Sequence, residues 1–402
     1  MPKIRRSGQD WILDRFIGAL GVNALMPNFM SFMASPIVGF NNADLDRIAR
    51  RTEGLGAMRR HYQRAAEYRE AIAQQAEKDG HVATARRHYY LAALCYGFVQ
   101  YTIQEDHSAK KKALHDKCQY CYGKVIKFAQ SPIEKVEIPF VDNPSYDSST
   151  YPALLHLPAG PGPWPCVIFI PGTDMYKEQV PNPEDNIFAK RGLACLTIDG
   201  PGQGESLLRM LKVRVDTWNY ERAVSAAIDY LQTRREIDPA KIVLFGVSTG
   251  SYWAPRAAIW EARHKDRIVA IARLAAQWDP SFVLEFEHAQ PNFKSNFMYM
   301  AGVENEDDFD RKAPLHHLND IGEIRHPLLI CQGEFDELCT PETLEEIVRK
   351  ASGPHEIRIY EDEFHPLGGV AVEAYEGVVD WINDRLAGKP MPQERLTRIA
   401  HP

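Results

Sequence analysis

Lys241-Ile-Val-Leu-Phe-Gly-Val-Ser248-Thr-Gly250 is a short β-branched and apolar run that ends in a Gly-x-Ser-x-Gly pentapeptide. A helix-forming segment, Tyr252 to His264, follows at once. Strand, sharp turn and helix form the context in which this pentapeptide exposes a serine nucleophile. So tight a turn forces the serine into a strained backbone conformation. Gly246 and Gly250 are then required, because a Cβ at either place would clash with the neighbouring strand or helix. The predicted result lifts the Ser248 hydroxyl above a sheet, at a helix N-terminus whose partial positive charge favours a developing anion.

The segments around this stretch alternate in kind. Glu134 to Phe140 and Tyr151 to Leu157 read as an antiparallel pair. Buried strands are then expected at Cys166 to Ile170, Leu193 to Ile198, Ile268 to Leu274, Pro327 to Cys331 and Glu356 to Tyr360. Helices are expected between most of them, at Pro183 to Lys190, Asp216 to Thr233, Pro341 to Lys350 and Val370 to Leu386. Continuous apolar strands alternating with helices predict an α/β class with a mostly parallel sheet covered on both faces. Residues 1–130 show no strand pattern. Met58 to Ala76 and His81 to Ile103 read as a helical hairpin, followed by a helix over Ala109 to Phe128. The expected organisation is a helical cap over 1–130 and a catalytic domain over 131–402, the cap lying over the carboxyl ends of the strands where ligands bind in open α/β sheets. Tyr89, Tyr90, Tyr96, Phe98 and Tyr101 of the hairpin are either packing surface or the roof of a pocket.

Ser248 needs a base, and the base an orienting acid. With the strand–turn–helix elbow the expected order is serine, acid, histidine. Gly333-Glu-Phe-Asp336 follows one strand end and precedes a helix opened by Thr340-Pro341, which selects Asp336 over its neighbours Glu334 and Glu337. Glu361-Asp-Glu-Phe-His365 places His365 on the loop after the last expected strand. The oxyanion hole requires two backbone N–H groups: that of Thr249, and that of Thr173 or Asp174 in Pro171-Gly-Thr-Asp174. Trp278 and Asp279 follow the strand Ile268 to Leu274 at its carboxyl end, where Asp279 either meets substrate or caps the next helix. Lys177 and Glu178 are candidates for an ion pair that fixes the oxyanion loop, or for an auxiliary role at the site. Asp199-Gly-Pro-Gly-Gln-Gly204 lacks the lysine and Ser/Thr of a phosphate loop and reads as a structural turn.

A net charge of −7 over 402 residues gives no basic footprint for nucleic acid. The apolar stretch Ile17 to Phe40 is interrupted by Asn23, Pro27, Asn28 and Pro36, so it fits neither a signal segment nor a membrane span. It leaves a homodimer open. Seven scattered cysteines point to reduced thiols and a cytoplasmic setting. Cys118 and Cys121 form a lone C-x-x-C, read as core or surface thiols rather than a metal or redox site. No metal or organic cofactor is expected, because a triad with an oxyanion hole suffices; the expected partner is a small-molecule substrate.

Taken together, Pro171 to Glu178, Asp199 to Ser206, Gly246 to Gly250, Gly333 to Asp336 and Phe364-His365 resemble the α/β-hydrolase branch that includes 2,6-dihydroxypseudooxynicotine hydrolase, FrsA-like proteins and fungal polyketide-shortening hydrolases. The resemblance covers most of the chain, the helical region in general character only. It implies the α/β-hydrolase fold and hydrolysis of a carbon–carbon bond beside a ketone, in a β-diketone-like or aryl ketone molecule. The same residues would serve a carboxylesterase or lactonase with less demand on the leaving group. An aminopeptidase-like activity and a non-catalytic binding protein on the same fold are the remaining readings.

Overall fold

The computed structural model describes residues 10–22, 27–142, 146, 148–276 and 291–400. The apolar runs become the strands β1 (Ile133–Pro139), β2 (Thr150–His156), β3 (Trp164–Ile170), β4 (Ala194–Ile198), β5 (Ile237–Val247), β6 (Ala270–Leu274), β7 (Leu328–Gly333), β8 (His355–Tyr360) and β9 (Glu394–Ile399). They form one sheet in the order β1-β2-β4-β3-β5-β6-β7-β8-β9. β2 pairs antiparallel with β1 and β4, and every other pairing is parallel. Every residue of β4, β6 and β7 is buried, as strands covered on both faces must be. This is the α/β-hydrolase fold.

Two expectations change. Pro183 to Lys190 is not a helix but a chain of turns ending in a single 3₁₀ turn, Ala189–Arg191. The cause is local competition for the backbone. Asn182 Oδ1 accepts from the Glu184 N–H at 3.0 Å, and Asn186 Oδ1 from those of Phe188 and Ala189, also at 3.0 Å. β9 was not foreseen either. Glu394, Arg395 and Arg398 give it little apolar pattern, and its charges suit the exposed sheet edge it occupies beside β8.

Ahead of β1 lie the helices Asp10–Leu20, Pro27–Ala34, Asn42–Arg51, Leu55–Lys78, Val82–Tyr101 and Ala109–Lys127. Ser108 caps the last of these by accepting from the Lys111 N–H at 3.4 Å. The helix Val82–Tyr101 is apolar nearly all round because neighbours cover it on several sides. Tyr90 and Leu94 on that helix share one hydrophobic cluster with Val167, Phe169, Val243 and Phe245 of the sheet. The pocket-roof reading fails for three of its aromatics. Tyr89, Tyr90 and Tyr96 are buried, and their hydroxyls are spent on Glu77, on the carbonyls of Val38 and Gln179, and on Glu70. Phe98 is buried and stacks on Tyr62 at 4.2 Å.

The helical region meets the sheet at loops following β3 and β8. Gly97 makes room for the Tyr176 ring, which a Cβ would strike at 2.3 Å, and Tyr176 Oη donates to the Leu94 carbonyl at 2.6 Å. Gly368 lies against Asn28, whose carbonyl oxygen would stand 1.8 Å from an added Cβ. Cys118 and Cys121 are buried free thiols whose pKa values burial pushes up, which makes them inert core residues. Among the described residues no helix is long and apolar enough to cross a membrane.

Candidate active site

The elbow has the strain its sequence requires. Ser248 sits at φ 55°, ψ −125°, between β5 and the helix Thr249–His264. A Cβ on Gly246 would stand 2.0 Å from the Gly250 carbonyl oxygen, and one on Gly250 would stand 1.9 Å from that of Ile170. The Ser248 N–H is tied to the Leu274 carbonyl of β6 at 3.0 Å, so the neighbouring strand holds the strained residue in place.

Two loops then converge on this serine. His365 Nε2 lies 2.9 Å from Ser248 Oγ, and His365 Nδ1 lies 3.0 Å from Asp336 Oδ2. The natural tautomer puts a proton on Nδ1, donated to Asp336, and leaves Nε2 to accept the serine proton. Asp336 Oδ1 accepts from the N–H groups of Leu338 at 2.9 Å and Cys339 at 3.3 Å, which fixes the carboxylate. The rival acids turn elsewhere: Glu334 to Arg398 and the Asp362 N–H, Glu337 to the His365 N–H. Burial works to lower the His365 pKa, but the charge and hydrogen bond of Asp336, with Glu337 and Asp174, raise it above the ordinary histidine value.

Thr173 and Thr249, on separate loops, touch through their hydroxyls, which brings their backbones together beside Ser248. Gly172 lets the first loop in: an added Cβ would lie 3.0 Å from Ser248 Cβ. The Thr173 N–H is buried and has no acceptor among the described residues, the condition of a donor reserved for a ligand.

Lys177 and Glu178 form the expected ion pair at 2.9 Å, inside a larger cluster. Lys177 Nζ also reaches Asp199 at 3.1 Å and Glu205 at 2.9 Å. Both residues are buried and occupied within the protein, so they brace the loop that carries Thr173. The Asp199-to-Gly204 turn, read as structural, is the second brace. Its Gln203 Nε2 donates to the carbonyls of Pro171 at 2.7 Å and Gly172 at 3.0 Å, and Tyr220 Oη fixes Gln203 at 2.6 Å. Trp278 and Asp279 lie outside the described residues.

Sequence reasoning missed Arg273. Pro255, in the helix after the elbow, has no N–H for the carbonyl of Ser251 four residues earlier. Arg273 Nε of β6 fills that gap at 2.6 Å. The proline inside a helical pattern was the available signal.

The sequence profile of the prolyl oligopeptidase family matches residues 182–389. The chain belongs to the prolyl oligopeptidase family. It is a hydrolase. Over 330 residues it is 28% identical to 2,6-dihydropseudooxynicotine hydrolase of Paenarthrobacter nicotinovorans, covering 79% of this chain and 82% of that protein. Over 203 residues it is 30% identical to alpha/beta hydrolase xenA of Xenoacremonium sinensis, covering 48% of this chain and 46% of that one. The crystal structure of the 2,6-dihydroxy-pseudo-oxynicotine hydrolase superposes with a TM-score of 0.76 at 22% identity, over 91% of this chain and 99% of that one. That likeness establishes the shared fold.

Proposed function

We propose that this family member is a serine hydrolase that cleaves a carbon–carbon bond next to a ketone in a small molecule. The observation that carries the catalytic half is His365 bridging Ser248 and Asp336 at 2.9 and 3.0 Å. The carbon–carbon half is supported by similarity along 79% of the chain to an enzyme named as a pseudooxynicotine hydrolase.

Ser248 Oγ attacks the ketone carbon while His365 Nε2 takes the serine proton. The oxyanion is received by the N–H groups of Thr249 and Thr173. Collapse of the tetrahedral intermediate breaks the carbon–carbon bond, and its electron pair passes onto an electron-withdrawing group of the leaving fragment. The imidazolium returns the proton to the departing carbon. Water, activated by the same imidazole, then releases the acyl group from Ser248. The helical region 1–130 is the cap that selects the substrate, and a homodimer is the expected assembly.

A hydrolysis panel tests the reading: an aryl β-diketone against p-nitrophenyl esters, with Ser248→Ala as the control. Diketone cleavage that depends on Ser248 and outpaces ester turnover supports it. Fast ester turnover with the diketone untouched would make this protein a capped esterase instead.

A further inference from the structure

Residues 171–193, which carry the chain from β3 to β4, form turns and a single 3₁₀ turn. Lacking the internal bonds of a helix, such a crossover takes its shape from what it touches. Its first part holds the proposed oxyanion donor, the Thr173 N–H. The Met175 N–H donates to the Gly172 carbonyl at 3.3 Å and the Gln179 N–H to the Tyr176 carbonyl at 3.0 Å, so two turns follow one another directly. The helical region grips the second turn at three residues. Tyr176 Oη donates to the Leu94 carbonyl at 2.6 Å, Gln119 Nε2 donates to Glu178 Oε1 at 2.5 Å, and Tyr90 Oη lies 3.1 Å from the Gln179 carbonyl oxygen. Tyr176, Glu178 and Gln179 are all buried. Lys177, between them, is tied to the catalytic domain through Asp199 and Glu205.

We propose that the helical region holds half of the oxyanion hole in place, with Tyr176 as the positioning residue. The inference rests on the serine-hydrolase half of the proposed function and not on which bond is cleaved. Thr173 lies between two anchors. Upstream, Gln203 pins the carbonyls of Pro171 and Gly172 from the catalytic domain. Downstream, three residues after Thr173, the Leu94 carbonyl pins Tyr176, whose ring sits where Gly97 leaves room. The Thr173 hydroxyl touches that of Thr249 on the elbow, so any movement of the Tyr176 turn shifts the Thr173 N–H relative to Ser248. An oxyanion donor works only within a few tenths of an ångström of its place. A rearrangement of the helical region therefore changes the rate of the chemical step as well as access to the site.

The test reads kcat and KM on whichever of p-nitrophenyl acetate and the aryl β-diketone the wild type turns over. Tyr176→Phe removes the bond to Leu94 and keeps the ring beside Gly97. It should lower kcat by about tenfold and leave KM within about twofold, because a misplaced oxyanion donor acts on the transition state. Gln119→Leu should act in the same direction. Tyr96→Phe is the control: on the same helix it removes a hydroxyl bond of 2.7 Å that goes to Glu70 instead of the crossover. It should lower the urea midpoint as much as Tyr176→Phe and leave kcat within about twofold. Unchanged kcat in Tyr176→Phe, equal kcat losses in Tyr176→Phe and Tyr96→Phe, or a change confined to KM would each overturn the proposal. Amide hydrogen exchange over residues 172–179, read by mass spectrometry, needs no substrate. It should quicken in Tyr176→Phe and not in Tyr96→Phe, and unchanged exchange would also overturn the proposal. Quickened exchange in a protein whose wild type cleaves neither probe keeps the anchor and sinks the serine-hydrolase reading.

Discussion

Asp336 holds His365 by a 3.0 Å contact from Oδ2 to Nδ1, and its negative charge sets the proton affinity of the imidazole. The proposed base works only when neutral. Because the folded-state pKa is raised, activity should climb with pH through a value above that of an ordinary histidine, about 6.5. Asp336→Asn removes the charge that opposes burial. The acid limb of kcat should then move to lower pH, while kcat itself falls by about 10³- to 10⁴-fold as the tautomer and orientation are lost. A pH–rate profile of both proteins checks this, and an unmoved acid limb would contradict it.

Two glycines with opposite surroundings give a paired stability test. Gly250 has no space for a Cβ, which would sit 1.9 Å from the Ile170 carbonyl oxygen, whereas Gly123 in the helix Ala109–Lys127 has nothing within 4 Å. Gly250→Ala should cost about 3 kcal/mol and distort the elbow. Gly123→Ala should gain about 0.5–1 kcal/mol from reduced chain entropy and better helix propensity. Urea unfolding of the two variants should shift the midpoint in opposite directions.

What the sequence revealed, and what it hid, follows from how local each determinant is. Ser248, Asp336 and His365 are each specified by a strand and the turn behind it, so order along the chain is enough to find them. Gln203 braces Pro171 and Gly172 across a gap of some thirty residues, and Arg273 repairs the gap left by Pro255 from an adjacent strand. Such contacts exist only once the sheet order is known. Asn182 and Asn186 turned an expected helix into turns through short-range side-chain bonds, which apolar periodicity does not register. The hairpin tyrosines show the same limit: their spacing announced a packed helix but not that the hydroxyls of Tyr89, Tyr90 and Tyr96 would be spent on Glu77, on the carbonyls of Val38 and Gln179, and on Glu70.

The cation beneath the oxyanion loop should matter more for folding than for binding. Lys177 is buried against Glu178, Asp199 and Glu205, of which Asp199 is fully buried. Burial alone would lower the Lys177 pKa, but the carboxylates outweigh it and hold the ammonium charged. Lys177→Met strips the ammonium from Glu178 and Asp199, while Glu205 keeps Arg209, and should cost about 3–5 kcal/mol. A urea midpoint unchanged from wild type would show that the acids had found other compensation.

Lys111 offers a second buried amine with the opposite balance. Its Nζ donates to the Ile103 carbonyl at 2.9 Å and Tyr299 Oη at 3.1 Å, with no carboxylate in contact among the described residues. Burial, reinforced by Lys212 and only partly offset by Asp106, pushes its pKa down to about 7. The unfolded chain keeps the ordinary lysine value of about 10.4. Between those values the unfolded state holds more protons than the folded one, so the Lys111 contribution makes stability rise with pH across that window. Lys111→Met removes the term. Its advantage over wild type should be largest near pH 7 and shrink toward pH 10. Denaturant midpoints measured at both ends of the window check the sign, and parallel slopes for the two proteins would show that Lys111 stays charged in the fold.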